Sequence, residues 1–231
     1  MTAKPSDKFF NEVKKAEGFR KNLYDDSTQK TLTLKEAIKL KKARAAAKKR
    51  GDKKLPGTPT IGYGNVPTLS QLESGKGLLG VDLVKGIDEG TADKVLRNEP
   101  EILKNSKVIG TAKTKLSQEA TDALFSFGFN AGSGLGSKKE PNFKGTKRIV
   151  EVLDNEGPEA AASKMKEFRK SGGSINKGLI NRREKETKQF LKGFKAEKSF
   201  DVDNLSLKSI KDKFNTFTGK LGKAVQGKLN E

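Results

Sequence analysis

An interrupted β-hairpin is the sequence feature that most restricts the fold of this chain. Residues 20–26 lead into a small predicted β-sheet, and the glycine-bounded stretch TIGYG, residues 60–64, is predicted to return beside them. Residues 27–58 separate the two and are predicted to be an insertion. From residue 81 onward the apolar residues recur at helical spacing. The sequence therefore predicts an α+β protein with a small β-sheet lobe and a larger helical lobe.

The composition excludes several kinds of chemistry. The 231 residues contain no cysteine and no histidine, which excludes disulfides, thiolate catalysis, histidine-based triads and the common zinc sites. Any acid–base chemistry must therefore use carboxylates, tyrosine or lysine. The apolar runs are too short to cross a bilayer, and the N-terminal residues lack the apolar region of a secretory signal.

The net charge of +19, from 48 basic and 29 acidic residues, predicts an anionic partner. Nucleic acid, anionic lipid and an acidic cell-wall polymer all fit such a charge. Lysine outnumbers arginine by 40 to 8, whereas specific base recognition favours the arginine fork. We therefore expect diffuse attraction and no specific nucleic acid partner.

The insertion carries nearly half of this charge. Residues 30–54 contain 11 basic and 2 acidic residues. Thr33 and Glu36 predict a capping box at the start of a helix, and Gly51 predicts its end. Two interpretations remain open: a solvated helix that decorates a loop, or an electrostatic clamp on an anionic polymer beside the site.

Two carboxylates flank the first part of the hairpin. Residues 8–19 predict a helix with Ser6 or Asp7 as its cap, which places Glu17 in the last turn. Eight residues separate Glu17 from Asp26, which we expect at a strand start. Cleavage of a glycosidic bond needs such a pair, one as a protonated acid and one as a base. The pair alone is weak evidence, because 29 acidic residues produce this spacing often by chance.

The sequence around the two carboxylates makes the pair more specific. The blocks EGFRKNLYDD, TIGYGN, LSQEATDALFSFGFNAG, FRKSGG and GLINRREKETKQFL occur in that order over roughly residues 8–192. This order resembles the phage-type lysozymes, glycoside hydrolase family 24. The resemblance implies a lysozyme-like fold and, with no cofactor or metal, inverting hydrolysis of the β-1,4 bond between N-acetylmuramic acid and N-acetylglucosamine in peptidoglycan. The family motif places Thr five residues after Asp, and the insertion stretches this spacing to 33 residues.

The resemblance also implies roles for individual residues. Glu17 would protonate the glycosidic oxygen, Asp26 would position or activate the attacking water, and Thr60 would help to hold that water. Four more residues would bind substrate or support the site: Asn130, Phe168, Asn181 and Arg182. Phe168 stands in place of a common family tryptophan, and Arg182 is a candidate partner of Glu17. Asn65 stands where family members usually have histidine, which removes an ionisable group.

Each assignment has a plainer structural alternative. Glu17 could be an ordinary solvated glutamate, and Thr60 could be a strand residue that reflects β propensity. Asp25 competes with Asp26 by one position. Arg182, like Arg183, could form a surface salt bridge.

The chain is predicted to divide into a catalytic domain, residues 1–194, and an amphipathic extension, residues 195–231. The extension has a heptad-like apolar seam formed by Leu207, Ile210, Phe214, Phe217 and Leu221. It either packs on the domain or docks to another virion protein or a membrane surface.

Our leading hypothesis is a phage muramidase that acts on the cell wall in the periplasm. It would be either a lytic endolysin held in the host cytoplasm before release through holin pores, or a virion-associated lysozyme. The insertion and the extension favour the virion slightly. Two alternatives are a non-catalytic basic virion protein with a lysozyme-like fold, which is structural or binds nucleic acid, and a membrane-disrupting protein.

Overall fold

The structure is a computed structural model that describes residues 2–135, 145–171 and 173–203. Its helices are α1 (Asp7–Glu17), α2 (Leu34–Arg50), α3 (Leu69–Ser74), α4 (Glu89–Arg97), α5 (Pro100–Ile109), α6 (Gln118–Ala131), α7 (Gly145–Glu156), α8 (Pro158–Lys166) and α9 (Lys177–Asp203). Its strands are β1 (Arg20–Asp25), β2 (Pro59–Gly62), β3 (Lys170–Ser171) and β4 (Ser174–Ile175). The predicted α+β class is confirmed.

The predicted hairpin is formed by β1 and β2, which pair antiparallel. Tyr24 faces Thr60 in this pairing, and all of β2 is buried. Asp26 directly follows the end of β1, so its expected place at a strand start is wrong. The reason is local: the main-chain N–H of Ser27 donates to the Asp25 side chain at 2.9 Å, which begins a turn there.

The insertion forms α2 and leaves the pairing of β1 with β2 intact. The capping box is confirmed, because Thr33 Oγ1 accepts from the Glu36 N–H and the Glu36 carboxylate accepts from the Thr33 N–H. Gly51 ends α2 in the left-handed conformation, at φ +81°. The fully buried side chains of α2 are alanines, Ala37 and Ala47, so the helix lies close to the β-sheet lobe. Its lysines are exposed except Lys41, which is half-buried.

The core of the helical lobe surrounds α6, which packs against α5, α7 and α9. Ser117 caps α6 by accepting from the Ala120 N–H at 3.2 Å. The side chains of Leu124, Phe125 and Phe127 are almost completely buried. The second half of LSQEATDALFSFGFNAG is apolar nearly all round, which predicts the buried central helix that the structure contains.

The C-terminal part differs in detail from the sequence pattern. A short hairpin of β3 and β4 lies where the sequence SGGSINKG, residues 171–178, predicts only a turn. Two-residue strands are too short to show an alternating pattern. Helix α9 continues to Asp203, past the predicted boundary at 194, and the apolar seam from Leu207 to Leu221 lies outside the described residues. None of the helices in the described ranges combines the length and hydropathy that a bilayer crossing requires.

Candidate active site

The end of α1 fixes the position of Glu17. Ser6 caps the helix by accepting from the Phe9 N–H at 3.3 Å, and Phe9 and Phe10 anchor it in the core. Gly18 ends it with a φ of +69°, a conformation that favours glycine. Glu17 is therefore the last helical residue and faces the hairpin.

The surroundings of Glu17 favour its protonated form. Its side chain keeps accessible surface, but the protein packs around the carboxyl, and a Cβ added to Gly64 would lie only 3.1 Å from Oε2. Burial raises the pKa of Glu17, and the positive charge of Arg182 offsets part of that rise. A carboxyl with a raised pKa keeps its proton to higher pH, as a general acid must.

Asp26 is held in the opposite arrangement, as an exposed carboxylate on a fixed backbone. Its N–H donates to the Thr58 carbonyl at 3.1 Å, and its Oδ1 accepts from the Thr58 N–H at 2.5 Å. The buried Thr60 hydroxyl donates to the same Thr58 carbonyl at 3.0 Å. The Thr60 oxygen thus keeps its lone pairs free to accept from a water molecule. Thr58 therefore ties Asp26 and Thr60 together.

Asp25 has a different function from its neighbour. Its Oδ1 accepts from the Ser27 N–H at 2.9 Å and from the Ser27 hydroxyl at 2.8 Å. Burial acts to raise the pKa of Asp25, but hydrogen bonds from Ser27 and Thr28 outweigh it and hold the pKa low. The side chain is buried and its bonds belong to the turn. This arrangement supports Asp26, rather than Asp25, as the second carboxylate of the site.

Tyr24 lies near both carboxylates. Burial raises the pKa of its phenol, the charges of Glu17 and Asp26 raise it further, and Arg20 acts in the opposite direction. The sequence reasoning missed Tyr24 and Thr58. Each stands two positions before a predicted site residue, Asp26 or Thr60, so the period of a strand could have indicated both.

A pocket of about 620 Å³ opens on the helical lobe. Its walls come from the end of α6, the segment between α8 and α9 with its short hairpin, and the start of α9. They are Asn130, Ala131, Glu167, Phe168, Lys170, Asn176, Gly178, Leu179, Arg182 and Arg183. Three of the predicted supporting residues, Asn130, Phe168 and Arg182, meet here. Asn181 is exposed on α9 outside these walls. Because the charge of Arg182 also reaches Glu17, the pocket lies beside the acid.

The rear wall of this pocket contains a buried ion pair. Arg183 is 1% exposed, so its alternative assignment to a surface salt bridge is wrong. Its Nε lies 2.8 Å from Glu186 Oε2, and its Nη2 donates to Asn130 Oδ1 at 3.1 Å. Arg182 Nε also pairs with Glu186, at 3.1 Å, rather than with Glu17. The pair therefore orients Asn130 and Arg182 toward the pocket.

Asn65 occupies the position where histidine was expected from the resemblance. Its side-chain N–H donates to the Glu99 carboxylate. Burial raises the pKa of Glu99, and this hydrogen bond lowers it. At this position a neutral amide, rather than an ionisable imidazole, therefore donates a hydrogen bond to Glu99. Sequence reasoning could not find Glu99, which lies 34 residues away on another element.

Comparison with models of protein families shows to which family this chain belongs. A family model described as phage lysozyme matches residues 14–186. The chain belongs to the phage lysozyme family. The endolysin of Bacillus phage B103 is 31% identical over 172 residues, which is 74% of this chain and 60% of that protein. The endolysin of Bacillus phage PZA is 32% identical over 144 residues, or 61% and 52% of the two chains. This chain thus spans little more than half the length of these curated relatives.

Solved structures show that the phage lysozyme fold is present. The endolysin from Escherichia coli O157:H7 phage FAHEc1 aligns with a TM-score of 0.51 at 20% identity, covering 83% of this chain and 96% of that one. The active form of the P1 phage endolysin Lyz aligns with a TM-score of 0.52 at 18% identity, covering 82% and 86%. The predicted lysozyme-like fold is confirmed.

Replacing Arg182 by Met should move the alkaline limb of the protein's pH–activity profile to higher pH. The Arg182 charge lowers the pKa of Glu17, so its removal leaves the effect of burial less opposed. The acid then keeps its proton to higher pH. The measurement is kcat/KM against pH for the wild type and the variant. A limb that stays in place or moves to lower pH would contradict the assignment of that limb to Glu17.

Replacing Gly64 by Ala should lower both stability and activity. The residue has a φ of +86°, which costs about 1 kcal/mol in a residue with a Cβ, and the new Cβ would press on the Glu17 carboxyl. Gly51→Ala is the matched control, because its φ is +81° and nothing lies within 4 Å of an added Cβ. Both variants should melt earlier, but only Gly64→Ala should lose kcat. Equal kcat in the two variants would show that Gly64 does not shape the acid.

Proposed function

We propose that this member of the phage lysozyme family is an N-acetylmuramidase that cleaves the β-1,4 bond between N-acetylmuramic acid and N-acetylglucosamine in peptidoglycan. The observation that carries the proposal is the contrast between two carboxyls beside Tyr24. Burial raises the pKa of Glu17, whereas Asp26 is exposed and fixed by Thr58. The endolysin relatives support the same activity, although the chain spans only part of their length.

The proposed reaction is a single displacement. Glu17 donates its proton to the glycosidic oxygen as the bond from that oxygen to the anomeric carbon breaks. A water molecule bonded to the Thr60 oxygen loses a proton to Asp26 and attacks the same carbon from the opposite face. Glu17 ends ionised and Asp26 ends protonated, and exchange with solvent restores both. The sugar released at that carbon has the inverted configuration.

An outward row of lysines on α2 supports a second element of the proposal, contact with an anionic polymer of the cell wall. The row, which we call the lysine stripe, lies opposite the buried alanines over about 21 Å of helix and consists of Lys35, Lys39, Lys42 and Lys49. Lys42 forms an ion pair with Glu73, with its Nζ 2.9 Å from Glu73 Oε1. Exposed charges are screened by salt, so capture through the lysine stripe should weaken as salt rises.

Two roles in infection suit the same chemistry. The names of the Bacillus phage relatives support release from the host as an endolysin. The basic insertion favours attachment to the virion, because a minimal lytic enzyme does not need it. Mass spectrometry of purified virions distinguishes the two roles, since a structural component stays with particles after washing.

The function is tested by incubating the wild type with purified peptidoglycan at low and moderate salt. We expect loss of turbidity together with new reducing ends, both slowed by salt. Nucleic acid binding without reducing ends would favour a non-catalytic virion protein. Dye release from anionic vesicles without reducing ends would favour a membrane-disrupting protein. Either of the last two results would overturn the proposed activity.

A further inference from the structure

The segment that returns from the insertion to β2 is tied back to α2 by the guanidinium of Arg44. Arg44 Nη1 donates to the main-chain carbonyl of Pro56. A cavity of about 410 Å³ opens between the helix and the segment next to Pro56. Its walls are Ala43, Ala46, Ala47, Arg50, Asp52, Lys54, Leu55 and Pro56. Arg44 is not one of these wall residues, so its guanidinium links the helix to Pro56 outside the cavity.

The residues after Pro56 lead directly to the two groups that act on water. Gly57 packs tightly against the turn at Asp25, so that a Cβ added to Gly57 would overlap Asp25 Oδ1. Thr58 follows, and it bonds Asp26 through both its N–H and its carbonyl. The same carbonyl accepts the Thr60 hydroxyl. A shift of the Pro56 carbonyl would thus reach Asp26 and Thr60 within two residues.

The length of the insertion creates a need for such a tie. Asp26 and Thr60 are separated by 33 residues, which include the whole insertion. A longer loop costs more entropy to close and holds its ends less firmly. Arg44 lies on the opposite side of α2 from the lysine stripe and is partly buried. Its position therefore suits an internal bond rather than contact with an anionic polymer.

We infer that Arg44 is a positioning residue, which holds the Pro56–Thr58 segment so that Asp26 and Thr60 face the attacking water. The inference rests on the proposed muramidase function. It gives the basic insertion two separate functions, an outer charged face and an inner structural bond. Arg44 acts through Thr58 and does not touch the reacting atoms.

The test compares Arg44→Met, Arg44→Lys and the control Arg148→Met, which removes an exposed arginine from α7 in the other lobe. A displaced catalytic group costs activity steeply, so Arg44→Met should lower kcat about tenfold, with KM within about twofold and the same loss at low and moderate salt. Arg44→Lys should recover most of kcat, because an ammonium can still donate to the carbonyl. Arg148→Met should match the wild type.

A kcat of folded Arg44→Met within about twofold of the wild type would overturn the inference. A loss confined to KM that disappears at moderate salt would also overturn it, since Arg44 would then be a substrate contact. If Arg44→Met does not fold, Arg44→Gln takes its place under the same criteria. An inactive wild type would instead remove the proposed function itself, so the two failures are distinguishable.

Discussion

Replacing Glu17 by Gln should lower kcat for peptidoglycan hydrolysis by about 10³-fold, because an amide cannot give up a proton to the leaving oxygen. Glutamine keeps the shape of the side chain, so the site should stay intact. The rate is measured as reducing ends formed at saturating peptidoglycan. Glu12→Gln is the control, since Glu12 is an exposed residue of the same helix and the change removes the same charge.

The same substitution should raise stability at neutral pH. Burial raises the pKa of Glu17 above its ordinary value of 4.5, so the folded state disfavours the ionised carboxyl. The wild type therefore loses stability, relative to the glutamine variant, as pH rises from 4.5 through the raised pKa. Below 4.5 the difference should vanish. A variant that stays active, or that melts earlier than the wild type at neutral pH, would contradict the role given to Glu17.

Replacing Asp26 by Asn should lower kcat by about 10²-fold or more, because the amide cannot accept a proton from water. The Asn oxygen can still accept from the Thr58 N–H, so the hairpin should keep its geometry. The measurement is again kcat on purified peptidoglycan, with the melting temperature recorded for each variant.

Asp25→Asn is the informative comparison for this variant. Asp25 stabilises the turn through hydrogen bonds from Ser27, and those bonds favour the ionised carboxylate. The variant should therefore melt earlier than the wild type and retain most of its kcat. The reverse result, with a stable inactive Asp25→Asn and an active Asp26→Asn, would move the base one residue along the chain.

Local sequence was enough to predict the elements that carry the site. The helix that ends in Glu17, its Ser6 cap and the Thr33–Glu36 capping box depend on residues close in sequence, and the structure contains all three. The two-residue strands β3 and β4 were missed because nothing in so short a pattern distinguishes a strand from a turn.

Contacts between distant residues could not be predicted in this way. The bond of Thr58 to Asp26 joins positions 32 apart, and its existence depends on how the insertion returns to the hairpin. Burial of Arg183 is likewise set by Glu186 and Asn130 on two packed helices. Among the basic residues whose burial the structure describes, no local signal marks Arg183 as the buried one.

The proposed chemistry is tested most directly by identifying the sugar that carries the new reducing end. Wild type and Glu17→Gln are each incubated with purified peptidoglycan, and the products are reduced with borohydride and hydrolysed. We predict reduced muramic acid from the wild type and almost none from Glu17→Gln. Reduced glucosamine, equal yields from the two proteins, or no reduced amino sugar from the wild type would contradict a muramidase that uses Glu17 as its acid.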